Sequence, residues 1–393
     1  MKSSLKPKLI RITTVPISMD IILRDQLRYM NESYEVVGVT SPDNKHFQAI
    51  KDREGIRMEA VHMQRGISVW HDLLSLIRLI WMFAKERPLI VHSHTPKAGL
   101  LGMMAAWFLR VPIRLHTVAG LPLLAADGRK RQLLNFTEKL TYRLATRVYP
   151  NSIGLRSIIL EEGFCARPKL HVIGAGSSNG IDLEYFNPFY PKRKEETREA
   201  IRQQFKIEEK DTVFLFVGRL AREKGIEELT SAFIRLQSRF SSTRLLLIGP
   251  LEKENGPISN ESLEQIEKHP SIIHPGRRDD VRPALLAGDI FVFPSYREGF
   301  PNALLQAGAM GLPSLASDIN GCNEIIKPTY NGLLFPAKNK EALYSVMKYA
   351  VENPSEIDTM RDSARGLIKA RYSRKALILA WEKEYERLIE QYG

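Results

Sequence analysis

Short apolar runs alternate with helical patterns along the whole chain. In the first half the runs that predict strands are KLIRIT, YEVVGV, LIVHSH, IRLHTV, RVYP and KLHVI, and helical patterns fall near 18–31, 71–86, 97–109, 130–146 and 154–163. The second half repeats the alternation, with strands predicted at TVFLFVG, RLLLIG, SIIHPG, DIFVFP, PSLAS and GLLF. Strands that alternate with helices in this way are typical of parallel sheets built from βαβ units.

A change of composition from Gly174 to about Glu196 predicts the junction between two domains. Glycine, serine, asparagine and proline accompany the charge cluster KRKEE in this segment. A chain of 393 residues also fits two domains better than one. We therefore predict two doubly wound α/β domains, 1–180 and 181–372, with a cleft between them, and an amphipathic helix over 373–393.

The segment SYREGFPNALLQAGAMGLP carries the clearest candidate chemistry. Glu298 lies there in a short loop between the apolar run DIFVF and an Ala/Leu/Gly-rich helix. Ligands of open α/β sheets bind just past the carboxyl ends of strands, which favours a functional Glu298. The alternative is a carboxylate that only complements the unpaired amides of the helix N-terminus.

The segment VGRLAREKGIEEL predicts a phosphate-binding loop. Gly218, Arg219 and Lys224 lie between a buried strand and a helix N-terminus, where unpaired amides attract anions. Arg219 can bind phosphate oxygens in a bidentate manner, and Lys224 adds a point charge. The spacing is not that of a P-loop, and solvated loop charges are the alternative. The chain has no D-x-D, which argues against a carboxylate-bound metal that holds a nucleotide diphosphate.

Three histidines lie at predicted strand ends of the first half. His92 and His94 form an H-x-H on one strand face, but no further histidine or acid completes a metal set. A hydrogen-bonding role for His94 in the cleft and a packed histidine both remain open. His116, near Gly120, either binds a substrate sugar or satisfies a neighbouring backbone group. A further motif, KLHVIGAGSSNGID, has glycines one residue too far apart for a dinucleotide fingerprint, so we expect a hinge there.

The net charge of +12 is confined to the first half. Residues 1–180 hold 26 Lys and Arg against 14 Asp and Glu, whereas residues 181–393 hold 31 of each. This asymmetry predicts an anionic partner for the first half: nucleic acid, a membrane surface or a phosphorylated substrate. Two cysteines without a pairing pattern suit a reducing cytosol, and MKSSLKPKLIRI lacks the apolar core of a signal peptide.

The order of these motifs resembles the family 4 retaining glycosyltransferases of the GT-B fold, in particular bacterial members that build capsule, O-antigen or lipid-linked oligosaccharides. The resemblance is carried by VHSHTPKAG, NGID with FNP, FVGRLAREKG, DIFVFPSYREGFPNALLQAGAMGLP, and INGCNEII with NGLLFP. It implies a second domain that binds a nucleotide sugar, usually UDP-linked, and a first domain that takes the acceptor. It also implies that the final helix packs back on the first domain and that transfer retains the anomeric configuration.

The resemblance also implies roles for individual residues. Arg219 and Lys224 would hold the diphosphate, and Glu298 would contact the donor sugar and the reacting centre. Sugar or phosphate oxygens would meet the backbone of the next four residues, Gly299, Phe300, Pro301 and Asn302. Two positions depart from the family pattern. Gln306 stands where a second acid usually binds the ribose, although an amide can still donate and accept hydrogen bonds. Ala119 replaces a histidine before Gly120, and His116 is the candidate to compensate.

We therefore expect a metal-independent enzyme without a cofactor. It would transfer a hexose or N-acetylhexosamine from a nucleotide sugar to a polyprenyl-diphosphate-linked glycan at the cytoplasmic face of the plasma membrane. A UDP-sugar 2-epimerase-like enzyme of the same architecture is one alternative, but it would need extra acids and histidines. A non-catalytic nucleic-acid-binding protein is another, yet the basic half lacks interleaved aromatic and basic residues and a helix-turn-helix, so we expect no nucleic acid.

Two segments of the basic half are candidates for contact with an anionic membrane surface. WHDLLSLIRLIWMFAKER is apolar around much of its circumference, and we interpret it as a buried helix of the domain core. GRKRQLLNFTEKLTYRLATR carries six basic residues and is the better candidate, because such charges face solvent or an anionic leaflet.

Overall fold

The computed structural model describes residues 6–43, 45–64, 66, 68–189, 197–254 and 256–393. It divides into unit 1, residues 1–180 with 374–393, and unit 2, residues 181–373. The first boundary between the two units falls directly after Gly180, the last glycine of the glycine-rich segment. The charge cluster KRKEE of the predicted junction lies outside the described residues.

Unit 1 contains a six-stranded parallel sheet. Its elements along the chain are β1 (Lys8–Ile12), α1 (Pro16–Ile22), α2 (Gln26–Ser33), β2 (Glu35–Thr40), α3 (His46–Glu54), β3 (Arg57–Ala60), α4 (Val69–Glu86), β4 (Ile90–Ser93), α5 (Pro96–Phe108), β5 (Ile113–Val118), α6 (Gly128–Leu144), β6 (Arg147–Pro150) and α7 (Ile153–Glu161). The strand order is β3-β2-β1-β4-β5-β6. The sheet is buried on both faces, which explains why its central strands are largely apolar runs.

Unit 2 contains a second six-stranded parallel sheet. Its elements are α8 (Arg198–Gln204), β7 (Thr212–Val217), α9 (Ile226–Gln237), β8 (Thr243–Ile248), α10 (Asn260–Lys268), β9 (Ile272–Gly276), α11 (Arg282–Ala287), β10 (Ile290–Phe293), α12 (Asn302–Ala309), β11 (Ser314–Ser317), α13 (Cys322–Ile325), β12 (Gly332–Phe335), α14 (Lys340–Glu352) and α15 (Pro354–Tyr372). The strand order is β12-β11-β10-β7-β8-β9. The expected alternation of strands and helices is confirmed in both units.

The last helix, α16 (Arg374–Tyr392), belongs to unit 1. It buries one apolar stripe in a core cluster with β1, β2, α1 and α2: Leu377, Ile378, Trp381, Tyr385 and Leu388. A second cluster on the other face of the same sheet joins residues of α4, α5, α6 and α7. Unit 1 therefore has helices packed on both faces of its sheet, as a doubly wound fold requires.

Two predicted elements are wrong, and one strand was not predicted. The helix expected over 18–31 is two helices, because the chain turns between them at Asp25, whose φ is 66°. The run KLHVI forms no strand and contributes a single bridge between Leu170 and Val148. The strand β3 was not predicted, because it is an edge strand of four residues in which only Met58 is buried.

The interpretation of residues 70–87 as a buried core helix is also wrong. α4 buries Leu79, Met82 and Phe83, but Trp70 and Trp81 on its other side are 78% and 68% exposed. The helix is thus apolar on a buried face and on a solvent face, and the sequence pattern does not separate the two. No helix in the described part of the chain is long and apolar enough to cross a membrane.

Candidate active site

The strand order of the unit 2 sheet reverses between β7 and β10. The residues that are predicted to bind the sugar donor lie at that point. The chain proceeds from β7 to β8 and β9 on one side, then returns to place β10 beside β7. Open α/β sheets bind ligands in the crevice at such a switch point. Arg219 and Lys224 follow β7, and Glu298 follows β10, so the fold brings these predicted residues to one edge of the sheet.

Lys224 and Glu298 are in direct contact. The Lys224 ammonium Nζ donates to Glu298 Oε1 at 2.5 Å, and both side chains are largely buried. The aromatic ring of Phe293, the last residue of β10, lies 6.0 Å from the same ammonium. The pair places one positive and one negative charge side by side at the end of the sheet.

Gly225 permits this approach of the two loops. Its φ is +69°, in the left-handed region that favours glycine, and it links the turn of Lys224 to the start of α9. A Cβ atom at this position would lie 2.1 Å from the carbonyl oxygen of Pro294. Any other residue would push the loop after β7 away from the loop after β10.

Two further side chains hold the Glu298 loop. The Ser295 hydroxyl donates to Glu298 Oε1 at 2.8 Å. The Asn320 amide Nδ2 lies 3.0 Å from the Glu298 carbonyl and 2.9 Å from the Gly299 carbonyl, to both of which it can donate. Glu298 is therefore fixed through its carboxylate and through its backbone.

Arg219 takes part in a chain of ion pairs. Its guanidinium contacts Glu252 at 2.5 Å and Glu223 at 2.8 Å, and Glu223 also contacts Arg297 at 2.7 Å. Burial alone would raise the pKa of Glu223, but the hydrogen bond from Arg297 and the charges of Arg297, Lys224 and Arg219 lower it overall. Because the guanidinium is still about 44% exposed, an incoming anion can reach it.

The other residues predicted to bind the sugar donor lie near Lys224 and Glu298 in the chain or after the same two strands. Gly218 directly follows β7, and its amide donates to the carbonyl of Ile248, the last residue of β8, at 2.9 Å. Phe300 is buried, and the centre of its ring lies 5.4 Å from that of the Tyr372 ring. Pro301 is the extended residue before α12, Asn302 begins that helix, and Gln306 lies one turn further on. Direct contacts of these residues with a nucleotide sugar stay a prediction.

His92 has a structural role in unit 1. Its Nδ1 lies 2.7 Å from the Tyr385 hydroxyl of α16, and its Nε2 lies 2.8 Å from the Thr117 hydroxyl of β5. Burial, followed by the charges of His94 and Arg11, lowers the pKa of His92 well below its usual value. Within the described ranges, no three His, Cys, Asp or Glu side chains form a group that could hold a metal ion.

His94 lies at the switch point of the unit 1 sheet, between β1 and β4. Its Nε2 accepts a hydrogen bond of 3.0 Å from Nε of Arg11, which places the ring proton on Nδ1. Both side chains are buried, and burial lowers the pKa of each. The Arg11 guanidinium also donates to Gln26 at 3.2 Å. Arg11 was not among the predicted site residues, although a lone cation within the apolar run KLIRI was a signal for it.

His116 is buried at the carboxyl half of β5. Its Nδ1 lies 2.8 Å from the Ser93 hydroxyl, and its ring packs against α5 so closely that a Cβ on Gly99 would lie 2.4 Å from it. Burial lowers the pKa of His116 to about 3, so the ring is neutral. His94 and His116 are thus both enclosed by protein groups, and contact of either with a substrate stays a prediction.

Comparisons with known proteins agree with this architecture. The family described as Glycosyl transferase 4-like domain matches residues 21–176, and the family Glycosyl transferases group 1 matches residues 197–367. The capsular polysaccharide biosynthesis glycosyltransferase CapM of Staphylococcus aureus is 29% identical over 384 residues, which cover 98% of each chain.

Two more proteins are similar to this chain. The UDP-Gal:alpha-D-GlcNAc-diphosphoundecaprenol alpha-1,3-galactosyltransferase of Escherichia coli is 31% identical over 289 residues, which are 72% of this chain and 71% of that protein. The crystal structure of HepE of Anabaena in complex with UDP superposes with a TM-score of 0.81 at 17% identity, covering 98% of this chain and 100% of the other. The two family matches, the relative at 31% identity and the shared fold show that this chain belongs to the family 4 glycosyltransferases of the GT-B fold.

Proposed function

We propose that this glycosyltransferase binds a UDP-sugar in unit 2 and transfers a hexose or N-acetylhexosamine, with retention, to a polyprenyl-diphosphate-linked glycan held by unit 1. The proposal places the enzyme in surface polysaccharide synthesis at the cytoplasmic face of the plasma membrane. It is supported by the names of the relatives, one a capsule glycosyltransferase and one a galactosyltransferase that acts on a diphosphoundecaprenol-linked sugar.

The observation that carries the proposal is the meeting of Lys224 and Glu298 at the switch point of the unit 2 sheet. A nucleotide sugar needs positive charge for its diphosphate next to polar groups for its sugar. Lys224 and Arg219 supply the positive charge, and Glu298 supplies the carboxylate, all from the ends of two adjacent strands. A donor diphosphate would compete with Glu298 for the Lys224 ammonium and with Glu223 and Glu252 for Arg219.

The proposed transfer breaks the bond between the anomeric carbon and the UDP oxygen and forms a bond to the acceptor hydroxyl on the same face. The proton of that hydroxyl passes to the leaving phosphate oxygen, so charge and atoms balance without another base. Lys224 and Arg219 stabilise the negative charge that grows on the leaving diphosphate. Glu298 stabilises the positive charge that grows on the donor sugar, because a fixed carboxylate is most effective where charge develops.

Binding of UDP in the presence of EDTA tests the donor half of the proposal. Two cations at one strand end, in a chain without D-x-D, predict binding that needs no divalent metal. Calorimetry with EDTA should detect binding to the wild-type protein. Arg219→Ala should weaken it by about 1.5–3 kcal/mol, the usual value of a hydrogen bond to a charged group.

The matched control is Arg244→Ala, because Arg244 also lies in unit 2 but forms an ion pair with Asp211 at the other end of its sheet, beside the first residue of β7. Its UDP affinity should equal that of the wild-type protein. Binding that is undetectable with EDTA and restored by magnesium would contradict the metal-free proposal.

A further inference from the structure

The solvent side of α4 carries a continuous apolar stripe. Trp70, Leu73, Leu74, Ile77 and Trp81 are all exposed, with Trp70 at 78% and Trp81 at 68%. At about 100° per residue these five positions fall within roughly 100° of the helix circumference. They therefore form one stripe about three turns long, on the side opposite the buried residues of α4.

Such a stripe is unusual for a helix on the surface of a folded domain. A surface helix normally buries its apolar face and presents polar residues to water. α4 already buries Leu79, Met82 and Phe83 against the sheet, so the exposed stripe is additional to the face that the fold requires. Exposed apolar surfaces of this kind with a polar rim mark sites of protein or membrane contact.

The rim of the stripe is basic. Arg78 and Lys85 flank it on one side, and the Lys85 ammonium lies 5.6 Å from the centre of the Trp81 ring. The two acids of α4 are engaged elsewhere, Asp72 with Lys97 at 2.6 Å and Glu86 with Lys8 at 2.7 Å. The charge that the helix presents beside its stripe is therefore positive.

The same layer of unit 1 continues this chemistry. α4 packs against α5, and α5 packs against α6. α6 exposes the apolar side chains of Leu133 and Phe136. It also carries the exposed basic residues Arg129, Lys130, Lys139 and Arg143. Aromatic and basic residues on one side of a domain match the interface of a bilayer, where rings occupy the headgroup level and cations meet anionic lipid.

We propose that the exposed stripe of α4 inserts into the interface of an anionic lipid bilayer, with α4 parallel to the membrane plane. The choice of occupant follows from charge complementarity. Anionic headgroups neutralise the basic rim, whereas a second copy of the same stripe would bring two basic rims together. The inference rests on the proposed function for its biological sense, since a lipid-linked acceptor resides in the membrane, but its physical basis is the stripe itself.

This mode of docking differs from the purely electrostatic one expected from the basic run of α6. Electrostatic docking fades as salt shortens the range of charge interactions. Burial of apolar side chains does not depend on that range. The inserted stripe should therefore leave a substantial fraction of membrane binding intact at high salt.

Co-flotation with lipid vesicles tests the inference on the full chain. Vesicles with 30% anionic phospholipid should carry the protein at about 0.1 M salt, and at least about a third should remain bound at about 0.5 M salt. Trp70→Ser with Trp81→Ser should lower the partition coefficient at least about tenfold at both salt concentrations, since two large apolar surfaces leave the interface.

A matched pair of single substitutions controls for general loss of apolar surface. Ile77 of the stripe is 54% exposed, and Ile21 of α1, in the layer on the opposite face of the sheet, is 53% exposed. Ile77→Ser should weaken flotation at least about threefold, and Ile21→Ser should leave it unchanged. Equal effects of the two substitutions, or complete release of the wild-type protein by salt, would overturn the inference.

Tryptophan fluorescence reports insertion directly. In Trp107→Phe protein the remaining tryptophans are Trp70, Trp81 and the buried Trp381. Brominated phospholipid should quench more than half of the emission on vesicle binding, because two of the three rings enter the bilayer and the third, Trp381, stays buried in the protein. Unquenched emission from bound protein would contradict insertion.

The test also separates this inference from the proposed function. Transfer to an acceptor with a short, water-soluble lipid should be the same for wild-type protein and for Trp70→Ser with Trp81→Ser. If vesicle binding resists salt and is lost in the stripe variants while no acceptor is glycosylated, the proposed function fails and the inference stands. If transfer occurs and vesicles do not bind, or if the stripe instead forms a dimer that the double substitution dissociates, the inference fails.

Discussion

Glu298 is held from three directions, by Lys224 and Ser295 on its carboxylate and by Asn320 on its backbone carbonyl. A side chain fixed in this way needs little reorganisation when charge develops beside it. The structure therefore separates Glu298, which is rigidly placed next to the candidate phosphate site, from Gln306, which lies one turn into α12.

Substitution at these two positions should have different consequences. Glu298→Ala should lower turnover on the order of a hundredfold or more, because it removes charge at the reacting centre. UDP affinity should change much less. Gln306→Glu should chiefly alter UDP affinity and leave turnover at saturating donor within about tenfold. Steady-state kinetics together with calorimetry measure both effects. Equal losses of both parameters in both variants would show that the roles are assigned wrongly.

The buried histidines of unit 1 make its stability depend on pH. Burial lowers the pKa of His92, His94 and His116 in the folded protein, that of His116 to about 3, whereas an unfolded histidine titrates near 6.5. Between those values the unfolded chain binds more protons than the folded one. The stability that these neutral rings contribute is present above pH 6.5 and is lost as pH falls.

The substitution His116→Asn tests the direction and the size of this pH dependence of stability. The free energy of unfolding of the wild-type protein should fall on acidification from pH 6 to pH 4, and the variant should show a slope smaller by about 1.4 kcal/mol per pH unit. Glu138 acts in the opposite sense, because burial raises its pKa to about 7. The stability that the protonated Glu138 side chain contributes is therefore lost as pH rises from the unfolded value of about 4.3 towards 7. Urea unfolding at several pH values gives the slopes, and identical slopes would contradict the account.

At the scale of elements, the site depends on how closely the loops after β7 and β10 can approach. Gly225→Ala should lower the free energy of unfolding by roughly 1–2 kcal/mol, because alanine disfavours the left-handed backbone conformation. Displacement of the Pro294 carbonyl should lower it further. It should also weaken UDP binding, because Lys224 moves with the loop.

Gly311→Ala is the control for that substitution. Gly311 also has a positive φ, +81°, but a Cβ there meets no atom within 4 Å. Its variant should lose only the backbone contribution to stability and keep the UDP affinity of the wild-type protein. If both glycine variants bind UDP equally well, the close approach at Gly225 does not support the site.

The elements also show what the sequence could and could not predict. Strands such as β7 and β10 were predictable because a parallel sheet buries both faces and leaves a continuous apolar run. β3 was not, because an edge strand with one buried residue carries no such run. The two apolar sides of α4 were merged into one pattern, because composition does not distinguish a face that meets the sheet from a face that meets solvent.

At the scale of the whole molecule, the GT-B fold followed from the order of motifs, whereas the contacts that hold the site did not. Lys224 and Glu298 were identified from their places after strands. Arg11 and His94 are 83 residues apart in sequence, and Asn320 lies 22 residues from the carbonyl of Glu298 that it binds. Such pairs are created by the return of the chain to adjacent strands, and no local pattern encodes them.

The most direct test of the proposed function is a transfer reaction in the presence of EDTA. The wild-type protein is incubated with UDP-sugars and a polyprenyl-diphosphate-linked monosaccharide, and the lipid product is analysed by mass spectrometry and NMR. We expect a product heavier by one hexose or N-acetylhexosamine, with the anomeric configuration of the donor. We expect no such product from Glu298→Ala protein that still binds UDP. Protein that binds UDP but glycosylates no acceptor, or equal product from Glu298→Ala, would contradict the proposed function.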